Sequence, residues 1–207
     1  MKIFALGTVA LGLLFALAGF SAGGKYNEVL SIGDAAPAWT DLPGTDDQRH
    51  ALAELNGKPV VVVVFTCNSC PCAVDYEDRL LAFCKKYAGA DSKVSVVAIN
   101  VNTIEADKLP AMKKRAELKK FPFIYLYDET QKIAKAYGAT YTPEFFVLDA
   151  KRKIAYMGAM DDKDPPASAK KVYLEDAVDA LLAGKKPEVS ETNGRGCQIR
   201  YNDKRRK

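Results

Sequence analysis

The sequence predicts an α/β protein, a mixed central sheet with helices on both faces, and three observations carry that prediction. Val60 to Phe65 runs apolar without alternation and is rich in β-branched residues, the composition of a strand buried on both faces. Strand-like runs then alternate with stretches whose apolar residues recur at three- and four-residue spacing, the crossover helices that parallel neighbours need. The last two strand-like runs are joined only by Asp149-Ala150-Lys151-Arg152, a hairpin-like link that fits an antiparallel pair.

Met1-Lys2 precede an apolar run from Ile3 to Phe20, flanked by the small-residue segments Ala16-Leu17-Ala18 and Ser21-Ala22-Gly23. An early positive charge, a short apolar core and small flanking residues predict a secretory signal peptide over residues 1–23, and hence export to a periplasmic or extracellular space. The run also approaches the ~18–20 residues that span a bilayer, so an uncleaved membrane anchor is the alternative. No cysteine precedes Cys67, which excludes lipid attachment to an N-terminal cysteine. The remaining stretch of about 185 residues predicts one domain, placed at 31–186, with a tail at 187–207.

Ile32 to Trp39 reads as extended entry chain with Trp39 as a core anchor, and turns are expected at Leu42-Pro43-Gly44 and Asn56-Gly57-Lys58-Pro59. After the Val60–Phe65 strand, a helix is predicted from Pro71 to Tyr87, with Ala73, Tyr76, Leu80, Leu81 and Cys84 recurring on one face. Asp75, Glu77 and Asp78 lie toward its start and lysines toward its end, which suits the helix dipole. Strands are predicted at Val94–Ile99, Phe123–Tyr127, Phe145–Leu148 and Lys153–Met157. Helices are predicted at Leu109–Leu118, at Thr130–Tyr137 closed by Gly138, and through Leu174, Ala177, Val178, Leu181 and Leu182 up to Gly184. Beyond Pro187 no apolar period remains. Repeats and low-complexity tracts are absent from the sequence.

The net charge is +4, with several positives in Lys204-Arg205-Arg206-Lys207. That run reads as a solvated tail. No stripe of basic and aromatic residues points to a nucleic-acid partner.

The chemistry lies in Phe65-Thr66-Cys67-Asn68-Ser69-Cys70-Pro71, a Cys-x-x-Cys pair between a buried strand and a helix. Two thiols so mounted support thiol–disulfide exchange. Cys67, at the start of the helix, is expected near unpaired amides and the positive helix end, which favour the attacking thiolate. Cys70, one turn on, is then the resolving thiol, and Pro71 is tolerated in the first turn because no donor is needed there. The chain is long enough to bury a core without disulfide staples, and the five cysteines leave an odd thiol. Cys72 and Cys197 are auxiliary thiol candidates, Cys197 being able to reach either Cys72 or Cys70. Cys84 packs on the apolar helix face. Glu144 reads as solvent-facing, with assistance to the resolving thiol as the alternative, and Tyr141 is open between packing and substrate contact.

From Gly33 to Gly184 the chain resembles the thioredoxin-fold redoxins, specifically the peroxiredoxin-like branch of the alkyl hydroperoxide reductase/thiol-specific antioxidant superfamily. The blocks that carry the resemblance are Gly33-Asp34-Ala35-Ala36-Pro37, Asn56-Gly57-Lys58-Pro59-Val60, the Cys67–Cys70 segment, Tyr125 to Thr130, Ala136 to Thr140 and Thr142 to Phe146. Gly196-Cys197-Gln198-Ile199-Arg200 is similar to the ending of that branch. The resemblance implies a thioredoxin-like fold and disulfide oxidoreductase or antioxidant activity. It also implies a cis bond at Thr142-Pro143 beside the sulfurs, where the Thr142 backbone positions an extended substrate strand.

The sequence departs from true peroxiredoxins, which carry Pro-x-x-x-Thr/Ser-x-x-Cys. Counting back from Cys67 gives Val64 and Val60, from Cys70 gives Cys67 and Val63, and from Cys72 gives Ser69 but Phe65. A thiol peroxidase is therefore the second reading. A third is soft-metal binding, such as Cu(I), by Cys67, Cys70 and Cys72, with His50 the only histidine and upstream in a polar loop region. The first reading is an exported thiol–disulfide oxidoreductase acting on protein or small-molecule disulfides, with a thiol reductant or oxidant as partner. It needs no organic cofactor and no metal.

Overall fold

The structure, a computed structural model, describes residues 23–89, 91–162 and 169–202. Of the predicted leader only Gly23 falls within these residues, and the basic run 204–207 lies outside them.

In chain order the strands are β1 (Leu42–Pro43), β2 (Arg49–His50), β3 (Val60–Thr66), β4 (Val94–Asn100), β5 (Ile124–Tyr127), β6 (Tyr141–Thr142), β7 (Glu144–Leu148), β8 (Ile154–Gly158) and β9 (Cys197–Gln198). The helices are α1 (Pro71–Tyr87), α2 (Leu109–Lys119), α3 (Lys132–Tyr137) and α4 (Tyr173–Leu182). The five-stranded sheet has the order β5-β4-β3-β7-β8. β3 pairs in parallel with β4, and β4 with β5, whereas β7 runs antiparallel to both β3 and β8. This is a thioredoxin-like arrangement, as the sequence led us to expect.

β3 is central because its side chains feed two cores. Val60, Val62 and Val64 pack with Tyr76, Leu80, Phe83 and Cys84 of α1 and with Leu174, Ala177 and Val178 of α4. Val61, Val63 and Phe65 pack on the other side with Trp39, Leu52, Ala134, Tyr137, Phe146 and Ile199. A continuous β-branched run is what a strand with no solvent face requires. Phe65 closes the second core edge-on against Tyr137 and Phe146, at ring-centroid distances of 5.3 and 5.7 Å. Aromatic pairs of this geometry contribute about 0.5–1.5 kcal/mol beyond their burial. The end of β3, and with it the Cys67 backbone, is therefore held from both sides.

α1 starts where the sequence puts it. Pro71 occupies the first helical position, where its fixed φ is already helical and its missing N–H is not needed. Gly138 ends α3 in the left-handed conformation at φ 65°, and its amide donates to Lys135 O at 3.0 Å.

Two segments differ from the sequence reading. Leu42-Pro43 do not turn but pair with Arg49-His50, the turn falling after Gly44, whose amide bonds Gln48 O at 2.7 Å. The segment from Pro187 is no free tail. Thr192 N donates to Met157 O at 3.0 Å, and Thr192 Oγ1 accepts from Ala159 N at 2.9 Å. Ile199 is buried in the second core, the Tyr201 hydroxyl donates to Ala139 O, and Asn202 N donates to Gln131 Oε1. Point contacts at irregular spacing hold this segment, so no periodic apolar face announces it.

Candidate active site

The site forms where β3 ends, α1 begins and β7 enters the sheet. Cys67 follows β3 directly and is 2% exposed, and Cys70, 7% exposed, is the N-cap residue of α1. The Cys70 amide donates to Cys67 Sγ at 3.3 Å. The Thr142–Pro143 peptide bond is cis, as the resemblance implied. Thr142 meets both sulfurs: Cys67 Sγ lies 3.5 Å from its hydroxyl and Cys70 Sγ 3.4 Å from its carbonyl oxygen. The structure thus brings together all four predicted residues of the exchange site, Cys67, Cys70, Thr142 and Pro143.

It also brings in Cys197. β9 pairs antiparallel with β6, setting Cys197 opposite Thr142 and Gln198 opposite Tyr141. Cys70 and Cys197 form a disulfide, with their Cα atoms 6.4 Å apart, and Cys67, Cys72 and Cys84 are free thiols. Cys72 Sγ lies 3.1 Å from Cys197 Sγ, so Cys197 meets both partners that the sequence left open. The edge of Thr142 expected to receive a substrate strand is thus occupied by the chain's own C-terminal segment. Two glycines permit the approach. A Cβ on Gly196 would run into Thr142 O and Pro143 N, and one on Gly194 would meet the Tyr141 ring. A cleft of about 630 Å³ borders the disulfide, lined by Ser69, Cys70, Ile104, Thr142, Cys197 and Arg200 among others.

Sequence reading missed the group that shapes the Cys67–Cys70 loop. Asp107 is fully buried; its Oδ1 accepts from Asn68 N at 2.6 Å and from Ser69 N at 3.1 Å, and its Oδ2 accepts from Ser69 Oγ at 2.5 Å. Asn100 Nδ2 donates to the Asp107 carbonyl at 3.1 Å and to the Tyr125 hydroxyl at 3.2 Å, and that hydroxyl donates to Asn68 Oδ1 at 2.9 Å. One buried carboxylate therefore fixes both residues between the cysteines, through charge-assisted hydrogen bonds.

The electrostatics correct one expectation. Amides do reach Cys67, but burial pushes its thiol up, and the Asp107 charge pushes further. The hydrogen bond with the Thr142 hydroxyl and those from the Cys70 and Ser69 amides pull down and do not offset this. The net effect at Cys67 is upward, toward the thiol form.

Glu144 is not solvent-facing. It is 5% exposed, and its Oε2 accepts from Thr140 N at 2.6 Å and Tyr141 N at 2.9 Å, tying down the loop before Pro143. Burial raises its carboxyl while those amides lower it. Tyr141 packs against the C-terminal segment. Cys84 packs on the first core, as read. The Sγ atoms of Cys70, Cys72 and Cys197 lie within 4.8 Å of one another, the only three-sulfur group of this kind among the described residues, and it excludes Cys67. His50 takes no part, its ring being bonded to Asp46 and Glu54.

A Cys-x-x-Cys pair at a strand-to-helix junction, facing a cis-proline across a mixed sheet, defines a thioredoxin-fold thiol redox protein. The chain belongs to the Redoxin family, whose sequence model matches residues 31–173. Among solved structures it is similar to a hypothetical protein of Sinorhizobium meliloti 1021, at 34% identity and a TM-score of 0.77, covering 85% of this chain and 97% of that one. An uncharacterized conserved protein of Geobacillus kaustophilus matches at 34% identity and TM-score 0.77, over 85% and 95% of the two chains. The thioredoxin domain of a thiol-disulfide oxidoreductase from Bacteroides vulgatus shares the fold at 21% identity and TM-score 0.51, over 60% and 86%. No curated protein matches the chain.

Proposed function

We propose that the protein is an exported thiol–disulfide oxidoreductase in which Cys67 attacks a client disulfide and Cys70 resolves the mixed disulfide. The observation that carries this reading is the convergence of both sulfurs on Thr142, beneath the cis bond to Pro143. Export rests on the leader-like composition of residues 1–23.

In the cycle, Cys70 is free and β9 has left β6, so that the Thr142 backbone and the neighbouring cleft accept a client strand. Cys67 loses its proton, and its thiolate attacks one client sulfur, forming a mixed disulfide and releasing the other as thiolate. Cys70 then attacks Cys67 Sγ, forming the Cys67–Cys70 disulfide and releasing the second client thiol. Thr142 couples access to activation. Its single hydroxyl proton points to Cys197 O at 3.5 Å while it accepts from the Cys67 thiol. Stabilising the thiolate requires that proton to turn to Cys67, which gives up the Cys197 contact.

The peroxidase reading has less support, because Val64, where that chemistry places a hydroxyl before Cys67, and Val60, where it places the proline, are both core valines. The test is reduction of the disulfides of insulin under a dithiol supply, following precipitation of the freed chain. Cys67→Ser should abolish exchange, and Cys70→Ser should accumulate a mixed disulfide at Cys67. Full exchange by Cys67→Ser would remove Cys67 from this role, and faster oxidation by hydrogen peroxide than by the protein disulfide would favour the peroxidase.

A further inference from the structure

We propose that Cys197 and Cys72 form an outer exchange pair, which takes the disulfide from the buried Cys67–Cys70 site and presents it to an external dithiol. Only the inner step of this relay rests on the Cys67–Cys70 reading above.

The four sulfurs form a chain of contacts that runs outward. Cys67 and Cys70 are buried, whereas Cys72 and Cys197 are half-buried. Cys67 accepts the Cys70 amide, Cys70 is bonded to Cys197, and Cys197 lies 3.1 Å from the Cys72 thiol. Reacting atoms about 3–3.5 Å apart are in near-attack range. A Cys-x-x-Cys mechanism gives neither outer thiol a role. Yet the fold invests in placing Cys197: β9 pairs with β6, Ile199 N donates to Thr140 O at 2.9 Å, Ile199 is buried, and Gly194 and Gly196 allow contact that a Cβ would block. The structure shows a disulfide with an unbonded thiol at each end, Cys67 beside Cys70 and Cys72 beside Cys197.

Each internal step conserves electrons. Starting from the Cys67–Cys70 disulfide, the Cys197 thiolate attacks Cys70 Sγ. The Cys70–Cys197 bond forms and Cys67 leaves as thiolate, taking up a proton. The Cys72 thiolate then attacks Cys197 Sγ, the Cys72–Cys197 bond forms, and Cys70 leaves and is protonated. An external dithiol supplies the two electrons and two protons that reduce Cys72–Cys197, and is itself oxidised to a disulfide. The reductant need not enter the pocket that holds Cys67.

The test follows the disulfides by acid quench, alkylation and mass spectrometry after reduced protein receives one equivalent of a small-molecule disulfide. Peptides linked through Cys67–Cys70, Cys70–Cys197 and Cys72–Cys197 should interconvert at constant total thiol. Cys72→Ser should lose the third and slow reduction of the Cys70–Cys197 form by dithiothreitol by about tenfold or more. Complete alkylation of Cys72 at every quench, or wild-type reduction rates in Cys72→Ser, would overturn the relay. Cys67→Ser separates the two readings. A Cys72–Cys197 peptide that persists there while insulin reduction is lost supports the outer pair, and disappearance of that peptide overturns it.

Discussion

Asp107 and Thr142 should move the Cys67 thiol in opposite directions. Asp107 contributes a negative charge that repels the thiolate, and the Thr142 hydroxyl, once its proton turns to Cys67, contributes a hydrogen bond that favours it. Asp107→Asn keeps a neutral acceptor for the Asn68 and Ser69 amides but removes the charge. A hydrogen bond to a charged group contributes about 1.5–3 kcal/mol against about 0.5–1.5 for a neutral one, so two weakened amide bonds amount to about 2 kcal/mol. The variant should therefore lose about 2 kcal/mol of stability while its Cys67 thiol titrates at lower pH than in the wild type. Thr142→Val leaves the charge in place and should raise that titration further. The assay is the pH dependence of Cys67 alkylation in fully reduced protein, read peptide by peptide, alongside urea unfolding at pH 7. An Asp107→Asn protein with wild-type stability, or a Cys67 midpoint that moves up, would refute the account of Asp107 as both clamp and charge.

Further outcomes follow from the same structure. Gly196→Ala forces the backbone of β9 away from Thr142 and Pro143; non-reducing peptide maps should show the Cys70–Cys197 link lost or strongly reduced while the sheet signature in circular dichroism is kept. Glu77, 9% exposed, accepts two hydrogen bonds from Arg115 at 2.7 and 2.8 Å and lies 3.2 Å from Lys119. Glu77→Gln should cost about 2 kcal/mol in urea unfolding, whereas Asp78→Asn, at an exposed carboxylate, should cost less than about 0.5. Burial pushes the Cys84 thiol from its ordinary 9.0 up to about 12. A group that holds its proton more tightly folded than unfolded stabilises the fold fully below the unfolded value and loses that contribution as pH rises to the folded one. Stability should thus fall between about pH 9 and 12 by up to about 1.4 kcal/mol per pH unit from this thiol, and Cys84→Ala should flatten that fall in urea midpoints measured across the range.

What was legible in the sequence is what repeats. Val60 to Phe65, apolar and β-branched between turn signals, reads as a doubly buried strand, and Ala73, Tyr76, Leu80 and Cys84 mark one helix face, so the sheet and α1 could be read to within a residue or two. Cys67 and Cys70 were legible because their spacing and their position after a strand both carry chemistry. Asp107 was not, since a buried carboxylate in a short polar stretch has the same local pattern as a solvated one and only the amides of Asn68 and Ser69, far away in sequence, distinguish it. Glu144 was misread for the same reason: its amide partners sit in the turn before it, where no periodic signal operates. The C-terminal segment escaped because glycine contacts and single hydrogen bonds to Met157, Gln131 and Ala139 leave no trace in hydropathy.

The Cys70–Cys197 bond spans 127 residues of sequence. In the chain-entropy view, closing a loop of that length removes about 5 kcal/mol of freedom from the unfolded chain, against about 2 kcal/mol for a bond within the Cys67–Cys70 turn. Moving one sulfur from Cys67 to Cys197 therefore changes how tightly most of the polypeptide is tethered. In the proposed cycle, each passage through the short loop would leave the molecule about 3 kcal/mol easier to unfold, by the same relation. Its lifetime among proteases would then be governed by how long it dwells with the inner bond closed and the outer one open.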